Sequence, residues 1–126
     1  MTEQPESEGR ITVEGLDDFS IENREGCLWI TLPDSINMDN YQQIESRVDS
    51  VLKKDAGNVV IDLGKTINMY SAGFGLIVRL RKRIDECGGK LFLVNVSHRT
   101  ADGLHGVGLD KIIRVYEQGA PLDFLH

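Results

Sequence analysis

The sequence lacks most of what an enzyme or a membrane protein needs. Nowhere do about 18 apolar residues run together, so no stretch reads as a transmembrane helix. The opening residues, Met1 to Gly9, are acidic and polar. They carry neither the basic nor the apolar part of a signal peptide, so a cytoplasmic protein without membrane insertion is expected. The two cysteines, Cys27 and Cys87, lie far apart and beside apolar residues, which suggests reduced core or edge side chains rather than a metal site. Only three prolines interrupt the chain, leaving most of its length free for regular structure.

Motifs that carry catalysis are missing too. No G-x-S-x-G elbow, Walker loop or G-x-G-x-x-G occurs. Gly103, Gly106 and Gly108 do not follow a strand and open a helix, so they form no dinucleotide loop. His98 and His105 have no Glu or Cys at metal-ligand spacing, and Ser71 has no evident base and acid partners. No cofactor, no metal and no catalytic residue are expected.

What is present is the composition of one ordinary domain: 126 residues, 40% hydrophobic and 27% charged. The net charge of −6 is uneven: residues 1–50 hold twelve acids and three bases (−9), and residues 51–126 hold eight acids and eleven bases (+3). An acidic whole argues against a nucleic-acid partner, because phosphate binding needs a basic field. Self-association is left open.

Residues 1–10 are read as a flexible acidic tail and residues 11–126 as a single domain. Phe19–Asn23 alternates apolar and polar residues, and Cys27–Leu32 is rich in strand formers, so the two predict a hairpin across an Arg24–Gly26 turn. Ile11–Val13 is a candidate edge piece. A helix capped by Asn37 or Asp39 is expected to carry Tyr41, Ile44, Val48, Val51 and Leu52 on one stripe and to end at Asp55–Gly57. The continuous apolar runs Asn58–Leu63 and Lys90–Asn95 predict strands buried on both faces. A second helix is expected over Gly73–Cys87, stopped by Gly88 and Gly89. Ser97 is read as the cap of a short third helix that Gly106 or Gly108 ends, and Ile112–Tyr116 as the last strand. Pro33–Asn37 and Gly64–Met69 are read as connections. This alternation predicts an α/β fold with a largely parallel sheet, made mixed by the hairpin.

The segment Ile67–Leu76 is the informative one. Ser71 can cap the second helix through its hydroxyl, and Gly73 and Gly75 let another chain approach the backbone. First-turn N–H groups carry partial positive charge and suit an anion. The plain alternative is a helix cap with small residues for packing. The basic run Arg79, Arg81, Lys82 and Arg83 avoids the inner stripe, either as a solvated face or as a rim steering an acidic partner. Phe74 is either an apolar anchor for a partner or a core residue.

Leu32–Asn37, Val59–Leu63, Met69–Gly75, Gly88–Asn95 and Gly108–Ile113 together resemble, in the same order, the pattern of STAS domains, which include bacterial anti-sigma-factor antagonists. The resemblance spans about residues 19–117. It implies a mixed sheet of four or five strands with helices mainly on one face. It also implies a regulatory, non-enzymatic binding module in signal transduction. Such a module binds an anti-sigma factor, usually a serine kinase, releases a sigma factor for transcription, and is switched off by phosphorylation of a Ser or Thr.

That family's Asp-Ser-Ser/Ala/Thr-Gly-Leu signature matches here through Ser71, Ala72 and Gly73, with Phe74 for the leucine. The acceptor position is then Ala72, which has no hydroxyl. Tyr70 stands where the signature opens on an acid, and Asn37 where an acid ends the second strand. The resemblance thus implies regulatory positions at Ala72, Ser71 and Tyr70, and partner-binding positions at Asn37, Ser71, Gly73, Phe74 and Arg79. Either the domain binds constitutively, which we prefer, or Ser71 or Tyr70 takes over as acceptor. The alternative is a STAS subunit of a membrane transporter or signalling assembly.

Overall fold

A computed structural model describes residues 11–13, 16–54 and 56–125. The expected tail over residues 1–10, and Asp55 at the end of the first helix, lie outside the described residues.

Among the described residues eight strands and three α-helices follow one another: β1 (Ile11–Val13), β2 (Leu16–Arg24), β3 (Cys27–Thr31), β4 (Ser35–Ile36), α1 (Tyr41–Val51), β5 (Asn58–Asp62), β6 (Asn68–Met69), α2 (Ser71–Glu86), β7 (Lys90–Val96), α3 (His98–Gly106) and β8 (Arg114–Glu117). Six strands form one sheet in the order β1-β2-β3-β5-β7-β8, and β4 and β6 pair separately. β1–β2 and β2–β3 are antiparallel; β3–β5, β5–β7 and β7–β8 are parallel. The mixed sheet is the one the sequence predicts, with the short edge strand β1 as a sixth member. The hairpin turns on Glu25 and Gly26, both at positive φ (52° and 80°), the two-residue geometry that matches strand twist.

The elements differ in detail from expectation. Asn40, not Asn37 or Asp39, precedes α1, and its side chain is spent on the loop before it: Oδ1 accepts from the Asn37 N–H at 3.0 Å and Nδ2 donates to the Ser35 carbonyl at 2.8 Å. α2 starts at Ser71, two residues early, and β8 starts two residues late and ends one late. The connections at 33–37 and 64–69 contain β4 and β6, which are too short for any periodicity. Ser97 caps α3 as expected, its Oγ accepting from the Thr100 N–H at 3.2 Å.

The helices cover one face of the sheet. Their stripes (Ile44 and Val48; Leu76, Ile77, Leu80 and Ile84; Leu104) pack with Ile21, Ile30, Val59, Ile61, Leu91 and Leu93 into the main core. Along each strand the intervening residues point the other way. Cys27, Trp29, Val60 and Val94 form a second, smaller buried cluster on the opposite face. Asp62 closes one end of it, accepting from Trp29 Nε1 (3.1 Å), Asn95 Nδ2 (3.1 Å) and the Gly64 N–H (2.8 Å). Asn95 reaches Asp62 from a register irregularity in β7, at a positive φ of 54°. No helix among the described residues is long and apolar enough to cross a membrane.

Candidate docking site at the start of the second helix

The β4–β6 ribbon builds the site. Ile36 pairs with Met69, so the residues that follow them, Asn37 and Tyr70, emerge side by side. Three backbone bonds and one side-chain bond fasten the ribbon: Ile67 N and Asn68 N donate to the Asp34 carbonyl (2.7 and 3.0 Å), Tyr70 N to the Ile36 carbonyl (3.3 Å), and Thr66 Oγ1 to the Pro33 carbonyl (2.8 Å). α2 then leaves the ribbon directly from Tyr70.

Gly73 is where the helix meets the ribbon. A Cβ there would lie 2.6 Å from Met69 Cγ and 3.2 Å from Ile36 Cβ. The lack of a side chain therefore serves close packing within the molecule, not the approach of a second chain, and Gly73 is buried. Ser71 does not cap α2. Tyr70 holds the cap position with no side-chain hydrogen bond, and the first turn closes when the Gly73 and Phe74 N–H groups donate to the Tyr70 carbonyl (2.8 and 3.2 Å). The Ser71 hydroxyl is left at the exposed helix mouth, with Ala72 half-buried beside it.

The remaining candidates divide. Asn37 sits at the mouth, its Oδ1 accepting from the Asp39 N–H at 2.9 Å. Phe74 turns inward against α3: a Cβ on Gly103 would come 2.9 Å from its ring tip, so packing is its role. Arg79 is not a free cation. Its Nε donates to Glu45 Oε1 on α1 at 2.9 Å and its guanidinium lies 5.0 Å from the Tyr41 ring centroid. Arg83 pairs with Asp49 at 3.0 Å and Arg81 with Asp85 at 3.5 Å, so the basic run is mostly engaged within the chain.

Two residues that pattern reading passed over stand out here. Met38 and Ile67 are 74% and 67% exposed, and Tyr70 is 55% exposed. All three flank the helix mouth. Both Met38 and Ile67 lie in connections, where a large apolar side chain with no periodic partners is itself the signal. A depression of about 230 Å³ lies between Ile67, Tyr70, Phe74 and Arg99. The arrangement offers apolar contact around a helix start, with no acid among these rim residues.

His98 and His105 are exposed, and neither lines that depression. His98 is 3.6 Å from both Asp102 and Glu117, and His105 Nδ1 is 2.7 Å from Asp110 Oδ2. The hydrogen bond and the charge of Asp110 raise the His105 pKa above its ordinary value. Among the described residues no group of three His, Cys, Asp or Glu side chains could hold a metal ion.

A family model described as the STAS domain matches residues 18–120. The chain belongs to the STAS domain family. No curated protein matches the sequence. Among solved structures, an anti-sigma-factor antagonist (STAS) domain protein from Planctomyces limnophilus is 23% identical, with a TM-score of 0.73 over 86% of this chain and 95% of that one. A putative anti-sigma factor antagonist from Thermotoga maritima is 24% identical, with a TM-score of 0.70 over 79% of this chain and 86% of that one. The murine solute carrier 26 family member A9 anion transporter is also similar: 13% identity and a TM-score of 0.63, over 86% of this chain but 20% of that one. The STAS fold therefore accounts for the sheet order and the helix-covered face.

Proposed function

We propose that this STAS domain is a non-enzymatic regulatory module that docks onto an anti-sigma factor or a serine-kinase-like protein through the start of α2. It binds without phosphorylation at the usual position. One observation carries the reading. The helix mouth presents half-buried Ala72 directly after exposed Tyr70 and Ser71, with Met38 and Ile67 exposed nearby and no acid at positions 37 and 70. An apolar rim of this kind favours a desolvated protein contact. A site without the acceptor hydroxyl has no phosphate to add, so the contact stays available whenever the partner is present. Control then falls to partner supply.

The test is binding of the purified chain to candidate anti-sigma factors from its own host. Ala72→Glu places a fixed charge where the contact must be dry, and at least a tenfold loss of affinity is expected. Equal binding by Ala72→Glu would remove the α2 mouth from the interface. Intact-mass analysis of protein from the host checks the second part: one phosphate on Ser71 or Tyr70 would overturn constitutive binding. Likeness to the transporter supports a second reading, a domain held in a larger assembly. Co-purification with a transporter instead of an anti-sigma factor would select it.

A further inference from the structure

The face of the sheet away from the helices is covered in an unusual way. The family match stops at residue 120, and the next five residues fold back over the sheet. A turn closed by the Ala120 N–H on the Glu117 carbonyl (3.0 Å) reverses the chain. Pro121, then a single 3-10 turn over Asp123–Leu125, follows. Leu122, Phe124 and Leu125 pack over the Cys27, Trp29, Val60 and Val94 cluster. Phe124 stacks on Phe92 with centroids 4.1 Å apart and planes 4° apart, and Tyr116 tilts against both rings.

The cover is held by side chains alone. The Tyr116 hydroxyl donates to Asp123 Oδ1 at 2.8 Å, while among the described residues no backbone hydrogen bond joins Pro121–Leu125 to a strand. Trp29 in this cluster is only 4% exposed, with the Arg24 guanidinium 4.4 Å from its ring centroid as well, and Val60 and Val94 are fully buried. Beside the cover lies a recess of about 670 Å³ whose charged rim is Arg81, Asp85, Lys90, Arg114 and Asp123. With Asp123 gone, three cations face one acid.

We propose that this face is a second docking surface, for a partner's short peptide carrying an acid next to an aromatic and aliphatic residues, and that Pro121–Leu125 is its resident competitor. The seated segment supplies the argument for the occupant. Leu-Asp-Phe-Leu is what the face already accepts, its aromatic on Phe92 and its acid beside Tyr116 and Arg114. Arg114 reinforces the acid's place, since its Nη2 donates to the Tyr116 hydroxyl at 3.1 Å. A cover bound only by side chains can be exchanged for another peptide without breaking the sheet. The surface touches α2 only at Arg81 and Asp85, on its last turns and away from Ser71 at its start, so both can be occupied at once, and the inference does not depend on the α2 reading.

The full chain carrying Phe124→Ala tests this, with a labelled synthetic peptide of the sequence of residues 118–125 as the probe. Trp29 is the only tryptophan, so its emission reports the cover. In Phe124→Ala the emission should shift to the red, and the peptide should bind about fivefold more tightly than to the parent and reverse the shift. A peptide with Asp and Phe replaced by Ser should not bind. Unshifted emission with no gain in affinity would overturn the proposal, as would equal binding to parent and variant. If Phe124→Ala fails to fold by circular dichroism, Asp123→Asn takes its place. That change keeps every apolar contact, and unchanged peptide affinity there would overturn the proposal equally.

Discussion

Val60 and Ile61 are neighbours on β5, and both are fully buried, yet they face opposite sides of the sheet. Ile61 looks into a core shared by three helices and every long strand. Val60 looks into a small cluster closed by one short segment, with Tyr116 beside it and Arg24 over the Trp29 ring. The same strand thus supports a permanent interior on one side and a removable one on the other. Burial alone does not distinguish them. What distinguishes them is how many elements must separate before water enters.

The comparison can be broken or sharpened by substitution. Ile61→Ala should cost about 4 kcal/mol in denaturant unfolding, because the surrounding helices cannot collapse into the space. Val60→Ala should cost about 1–2 kcal/mol, since less volume is lost and the loose cover can settle. Costs of equal size would mean that both faces are equally rigid. Phe124→Ala comes next, at about 1 kcal/mol, because the ring is half-exposed and mainly contributes its stack on Phe92. Arg83→Ala should cost about 0.5 kcal/mol, as the arginine side of its pair with Asp49 is exposed and screened by solvent.

The smallest effect is a pH dependence on the helix side. The folded His105 pKa is raised by Asp110, so its contribution to stability is fully present below the unfolded value. It is lost as pH rises through the folded value. Asp110→Asn should bring the His105 titration, followed by NMR, back toward the ordinary histidine range. An unmoved titration would discard the pair.

Much of this fold is legible in the sequence because the parallel strands are continuous apolar runs and the helices carry clear stripes. β5, β7 and the Ser97 cap follow from their residues directly. β4 and β6 do not, since two residues hold no period. The helix mouth is half-legible: the signature places Tyr70, Ser71 and Ala72 together, but only the ribbon pairing of Ile36 with Met69 brings Asn37 beside them. Arg79 and Arg83 read as free cations because the acids that meet them, Glu45 and Asp49, each lie 34 residues away. Phe124 carries no pattern of its own in the sequence because its partner, Phe92, is contributed by β7.

The two ion pairs between α1 and α2 have a mechanical consequence. Glu45 and Asp49 are one turn apart, and so are Arg79 and Arg83, with partners matched in the same direction. The helices therefore run alongside each other like two rulers with coincident marks about 6 Å apart. Sliding α2 by one mark would re-pair only one arginine and strand the other charges. The height at which α2 presents Tyr70, Ser71 and Ala72 is thus indexed from a seam two turns away. A partner meets a surface set in advance and spends little of its binding energy on positioning it.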